Sequence, residues 1–113
     1  MKLKEVVERL GFRVITGQDR LDREVTHGYT SDLLSDVMAN SKEGNLWITL
    51  QTHQNIIAVA KLKDLSGILL VNNREPDEDT KKKAIEERVT LLQTSETSYV
   101  SSGRLYALLG TKG

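Results

Sequence analysis

Residues 51–55, Gln51-Thr52-His53-Gln54-Asn55, put five hydrogen-bonding side chains in a row between two apolar runs. An imidazole in such a position can act as a general base or ligand contact near neutral pH. With Thr52 and Asn55 beside it, His53 can also hold an anion. The same residue types form turns and cap helices, so His53 reads equally as an exposed first-turn histidine bonded to its neighbours. His27, next to Gly28 and Tyr29, is a loop histidine unless the fold carries it to His53. Two histidines without the spaced carboxylate of an HExxH pattern predict no metal site.

Other chemistry-bearing signatures are missing. The sequence has no GxxxxGK[ST] phosphate loop, no GxGxxG dinucleotide turn and no GxSxG nucleophile elbow. Gly110-Thr111-Lys112 only echoes the first of these. The carboxylates fall mostly at helix starts and on solvent faces, where capping accounts for them. No catalytic residue and no cofactor are expected, and an enzyme using His53 with a carboxylate is the least favoured of three readings.

The elements that must position these residues follow from periodicity. Residues 45–64, NLWITLQTHQNIIAVAKLKD, read as a buried strand, a polar turn and a helix from about 53 to 63. That helix has little polar face, which predicts burial on more than one side, with an oligomer interface as a second cover. Before it, residues 2–10 place Leu3, Val6, Val7 and Leu10 at helical spacing, closed by Gly11. Residues 12–16 read as a strand and 17–20 as a turn. A weak strand is expected around 24–27, interrupted by Gly28. Thr30 or Ser31 should cap a helix with Asp32 in its first turn and Leu33, Leu34, Val37 and Met38 as its buried stripe.

After the central helix, GILLV at 67–71 is a continuous apolar strand suited to a parallel sheet covered on both faces. Residues 72–77 form a turn, Asp77 caps a helix, and its lysines at 81–83 form a solvated face. A strand at 89–92 leads to a last helix capped by residues 94–96 and running to about Leu109, with a tail at 110–113 expected to fray. The β-α-β-α-β-α order from Leu46 predicts one three-layer α/β domain over residues 1–113, with a mainly parallel sheet and helices on both faces. In such a sheet ligands bind outside the carboxyl ends of the strands. The turns at 51–55, 72–77 and 93–96 all lie there, and each leads into a helix start able to hold an anion. The candidate ligand-binding residues are therefore Gln51, Thr52, His53, Asn55, His27, Asn72, Thr94 and Ser95.

Composition narrows the partners. In 113 residues, 16 basic side chains balance 16 acidic ones, and there is no cysteine. Neutrality argues against nucleic-acid binding. The missing cysteines exclude disulfides and thiolate metal sites. No apolar run approaches the roughly 20 residues that span a bilayer, and MKLKEVVERL, with glutamates inside its apolar pattern, is no signal peptide. A soluble cytoplasmic protein without membrane or nucleic-acid partners is expected.

Four segments together resemble the DRTGG domain family: LDREVTHGYTSDLLSDVM (21–38), GNLWITLQTHQNIIAVAKL (44–62), GILLVNNREPDEDTKKKA (67–84) and VTLLQTSETSY (89–99). That family is related to the amino-terminal domain of HPr kinase/phosphorylase and to a region of some phosphotransacetylases, and it also occurs alongside CBS pairs. Stand-alone members are sometimes encoded near iron-only hydrogenases. The resemblance implies a non-catalytic regulatory or ligand-sensing module, a homodimer, and a small anionic or nucleotide ligand. An adaptor or assembly partner of a redox complex is the alternative. Many members carry a Gly-Asp-Arg-Glu-Asp-like turn where this chain has residues 51–55, so roles of those charges do not transfer. The kinase activity of the HPr kinase relatives sits in a P-loop domain, and no such motif is present here.

Overall fold

The computed structural model describes residues 1–110. The expected fraying of the tail, beyond Gly110, lies outside the described residues. The elements are α1 (Leu3–Leu10), β1 (Arg13–Thr16), a short 3-10 turn (Gln18–Arg20), β2 (His27–Thr30), α2 (Leu34–Asn40), β3 (Asn45–Thr49), α3 (Asn55–Leu62), β4 (Gly67–Leu70), α4 (Glu78–Glu87), β5 (Leu91–Gln93) and α5 (Ser98–Leu109). The five strands form one sheet in the order β1-β5-β4-β3-β2. β2 to β5 are parallel neighbours, and β1 joins antiparallel along β5 with an irregularity between Val14 and Thr16.

Alternation along the central strands divides the core into two layers. Leu46, Ile48, Leu69, Val71 and Leu92 face α1 and α5, packing on Leu3, Val6, Leu10 and Leu105. Trp47, Ile68, Leu70 and Leu91 face the other way, onto Val37 of α2, Ile56, Ile57, Val59 and Ala60 of α3, and Ala84 of α4. Both faces of β3 and β4 are therefore apolar, which is why GILLV carries no alternation. The three-layer α/β architecture expected from the sequence is present.

Helix α3 owes its apolar character to its place in the layer. It lies between α2 and α4 over the middle of the sheet, so its flanks are covered by the chain itself and need no second subunit. Leu62, at its carboxyl end, is 70% exposed.

Several expected boundaries shift, each for a local reason. The second strand is at His27–Thr30, running through Gly28 instead of stopping before it. A Cβ on Gly28 would meet Leu105 Cδ2 at 2.7 Å, so the glycine is what lets α5 close on this strand. Helix α2 starts at Leu34, later than expected, because Thr30 still pairs with Ile48 in the sheet. Leu33 is consequently 64% exposed and not part of the buried stripe. Strand β5 is displaced to Leu91–Gln93, and α5 is capped by Thr97, whose hydroxyl accepts from the Val100 amide at 3.2 Å. Residues 94–96 are turn, not cap.

Gly17 holds a tight crossing between the turn after β1 and the start of β5. Its φ of 83° is in the left-handed region, and a Cβ there would lie 2.7 Å from Thr90 Cα and against Thr90 Oγ1. Backbone cannot yield as a side-chain tip can. Gly17→Ala is expected to cost about 3 kcal/mol from overpacking and left-handed strain together, read as a lower urea midpoint with unchanged slope.

Candidate functional site

Because β2 to β5 run parallel, the segments that follow them gather at one end of the sheet. Arg13, which opens the antiparallel strand β1, arrives at the same end opposite Gln93. The turn after β3 is built first by Asp32. Its carboxylate accepts from Thr49 Oγ1 at 2.8 Å and from the Leu50 amide at 2.7 Å. Gln51 Nε2 donates back to the Asp32 carbonyl at 2.9 Å. Trp47 completes the tie by donating its indole N–H to the Ser31 carbonyl at 2.8 Å. Asp32 thus fastens the β3 turn to the β2 turn, instead of serving the dipole of α2 as its spacing predicted.

The next residues are sorted by what their side chains already do. His53 Nδ1 accepts from the Asn55 amide at 3.1 Å. An accepting Nδ1 leaves the ring proton on Nε2, which faces outward on an exposed residue as a donor. The Thr52 carbonyl accepts from Thr80 Oγ1 at 2.7 Å and from the Asp77 amide at 3.2 Å, joining the β3 turn to the start of α4. The Thr52 hydroxyl and the Asn55 side chain make no hydrogen bond among the described residues. Gln51 is used structurally, whereas Thr52, His53 and Asn55 have groups to offer.

The turn after β4 passes through Asn72 and Asn73, both left-handed with φ of 55° and 58°, a conformation that asparagine tolerates better than most residues. The Asn72 amide donates to the Glu96 carbonyl at 2.9 Å and the Asn73 amide to the Thr94 carbonyl at 2.8 Å. Thr94 is buried, and its hydroxyl accepts from the Glu96 amide at 3.3 Å. Thr94 is therefore a turn former, while the side chains of Asn72 and Ser95 stay exposed. An ion pair between Arg104 and Glu96 ties α5 to this turn.

Sequence reasoning missed a cluster at the edge of this surface. Gln93 Nε2 donates to the Arg74 carbonyl and to Glu75 Oε1, both at 3.0 Å. Arg13 donates to Gln93 Oε1 at 2.6 Å and to Glu75 Oε1 at 3.2 Å. The Gln93 amide first, and then the Arg13 guanidinium, hold the Glu75 carboxyl below its ordinary range. Arg74, within the same turn, is exposed and pairs with no carboxylate among the described residues. No pattern in the sequence marks these four, since their meeting depends on β1 inserting beside β5.

His27 is elsewhere. It pairs with Asn45 at the amino end of β2, whereas His53 follows the carboxyl end of β3. The two histidines sit at opposite ends of the sheet and do not converge. His27 packs edge-on to Tyr106, with ring centroids 6.4 Å apart, and its Nδ1 is buried without a partner. Among the described residues no three of His, Asp and Glu group to hold a metal ion, and no helix is long and apolar enough to cross a membrane.

This arrangement of strands and turns agrees with the family match. The model of the DRTGG domain matches residues 5–108. The chain belongs to the DRTGG domain family. No curated protein matches it in sequence. Among solved structures, the DRTGG fold recurs in the CBS and DRTGG domains of the regulatory region of Clostridium perfringens pyrophosphatase, complexed with its activator diadenosine tetraphosphate. The TM-score is 0.70 at 15% identity, covering 92% of this chain and 45% of that one. At that identity the likeness is one of fold, and this DRTGG domain spans less than half of the neighbour's length.

Two substitutions test how the turns are held. Asp32→Ala leaves the Leu50 amide and the Thr49 hydroxyl without their carboxylate and should cost about 1–2 kcal/mol, with faster amide exchange at residues 50–54. Glu75→Gln should lower stability near neutral pH. A carboxyl depressed on folding contributes stability that is complete above its unfolded pKa and is lost as pH falls through the lower folded value. The urea midpoints of wild type and Glu75→Gln should therefore converge as pH drops below the ordinary glutamate range, about 4.3.

Proposed function

We propose that this DRTGG domain is a non-catalytic regulatory or ligand-sensing module that binds a small anionic or nucleotide ligand at the carboxyl end of its parallel strands. The observation that carries this reading is the division among the turn residues. One set is bonded to fix the turns, and a second set leaves donors outward: Thr52 Oγ1, His53 Nε2 and the Asn55 amide, with Asn72 and Ser95 on neighbouring turns. The start of α3 adds the positive end of a helix dipole, and Arg74 supplies a free cation. Carboxyl-end crevices are where open α/β sheets take ligands. A relative of the same fold is a regulatory region complexed with a nucleotide activator, which favours a phosphate-bearing ligand for this chain as well.

The test is a thermal-shift panel of orthophosphate, acetyl phosphate, AMP, ATP and diadenosine tetraphosphate. A ligand at a hundred times its Kd adds about 2.7 kcal/mol to stability, which for a domain of this size raises Tm by roughly 10 °C. Thr52→Ala and Asn55→Ala should shrink that rise while leaving the ligand-free Tm within a degree or two. The absence of any shift across the panel, or an undiminished shift in both variants, counts against the reading.

One observation favours a second reading, an adaptor or homodimer surface of the kind an assembly partner of a redox complex would use. Helices α3 and α4 each expose a large aliphatic side chain near the carboxyl end, Leu62 at 70% and Ile85 at 67%, and apolar surface left on this outer layer is what a contact surface would use. Light scattering decides this. A monomer at all concentrations, unchanged by Leu62→Lys, removes the homodimer.

A further inference from the structure

A cavity of about 170 Å³ lies between β2 and α5, on the opposite face of the sheet from α3 and His53. Its apolar wall is made by Ile48, Leu105 and Leu109, and its polar rim by Thr30, Ser102 and Tyr106. Three features define what fits. The volume is close to that of a buried apolar cavity of about 150 Å³ known to accept benzene, so it suits a single ring. Thr30 and Ser102 hydroxyls are bonded to each other at 2.7 Å. Their mutual bond uses one O–H, leaving the other O–H and spare lone pairs for a partner. Finally, among the described residues no Lys, Arg, Asp or Glu lines the cavity, and His27 of its lining carries a buried Nδ1 without a partner, so the site favours a hydrogen-bonding guest over a strongly hydrated ion.

Gly28 forms part of the cavity wall. It lets Leu105 of α5 close directly on β2, since a Cβ there would meet Leu105 Cδ2 at 2.7 Å. Tyr106, 55% exposed, stands at the rim beside His27, so the cavity communicates with solvent past an aromatic edge.

We propose that this cavity binds an uncharged molecule consisting of one aromatic ring with a hydrogen-bonding group, the ring against Ile48, Leu105 and Leu109 and the polar group on the Thr30–Ser102 pair. The site is separate from the anion-binding turns and does not depend on them. Titration of the ¹⁵N-labelled full chain with phenol and benzimidazole, with benzoate as the charged control, tests it by amide shifts. Phenol or benzimidazole should move Gly28, Thr30, Ser102 and Tyr106 while residues 52–55 stay in place, and benzoate should bind at least about tenfold more weakly. Ser102→Phe fills the cavity and should abolish the shifts, with its circular dichroism melt showing that the fold is kept. Thr30→Val, nearly isosteric, removes one hydroxyl and should weaken binding by about fivefold, which keeps the test decisive if Ser102→Phe does not fold. No shifts at millimolar probe, shifts centred elsewhere, benzoate binding as well as phenol, or unchanged affinity in Thr30→Val would each overturn the proposal.

Discussion

The constraint on which this structure depends is the hand of its crossovers. β2, β3, β4 and β5 are parallel and stand beside one another in chain order. Right-handed connections between successive parallel strands that always step the same way place every connecting helix on the same face. Helices α2, α3 and α4 accordingly share one layer over Trp47, Ile68, Leu70 and Leu91. The opposite face, with Leu46, Ile48, Leu69 and Leu92, receives nothing from the crossovers. It is closed by the terminal helices α1 and α5, which arrive from opposite ends of the chain. The two layers thus differ in kind. One is fixed by short connections along its whole width, and the other is two helices meeting over the sheet.

That difference explains which parts of the fold were legible in the sequence. The run from Leu46 to Leu70 could be read because both faces of its strands are covered, giving continuous apolar stretches separated by polar turns. The amphipathic pattern of α1 and its Gly11 closure were readable for the same local reason. Strand β2 was placed too early because its outer edge lies at the margin of the sheet and its centre is Gly28, which reads as a turn residue. Its role is tertiary, giving Leu105 of α5 its approach. The antiparallel insertion of β1 beside β5 left no trace either, since nothing in residues 13–16 says which edge of the sheet they join.

The candidate site was half legible. Parallel strands with polar turns at their carboxyl ends follow from the pattern alone, and residues 51–55 lie there. What could not be read was how the polar residues divide their work. Gln51 and Thr94 resemble Thr52 and Ser95 in type, yet the first pair is bonded inward and the second is open. Asp32 illustrates the difficulty most clearly: its spacing suits a helix start, but α2 begins two residues later and the carboxylate instead receives Thr49 and Leu50 from the next strand. Hydrogen-bond partners from separate turns are set by the sheet register, which a single sequence does not display.

The electrostatics of the two ends of the sheet then differ in a way that net neutrality hides. At the amino end, where α3 and α4 finish, three cations are engaged by the protein itself. Lys61 donates to the Glu87 carbonyl at 3.2 Å, Arg23 binds both the carboxylate and the carbonyl of Asp64 at 3.0 Å, and Arg88 pairs with Asp19. Basic side chains there answer the negative ends of helices, while Arg20 beside them pairs with no carboxylate among the described residues. At the carboxyl end the helices begin, and three carboxylates near the turns are bound, Asp32 to Thr49 and Leu50, Glu75 to Gln93 and Arg13, Glu96 to Arg104. Helices α3 and α5 have no acidic residue in their first turn, and Arg74 is unpaired among the described residues, whereas α4 carries Asp77, Glu78 and Asp79 at its start. A chain with no net charge can therefore offer an anion the positive start of α3, on the side that the direction of its parallel strands dictates, while the acidic start of α4 beside it does not.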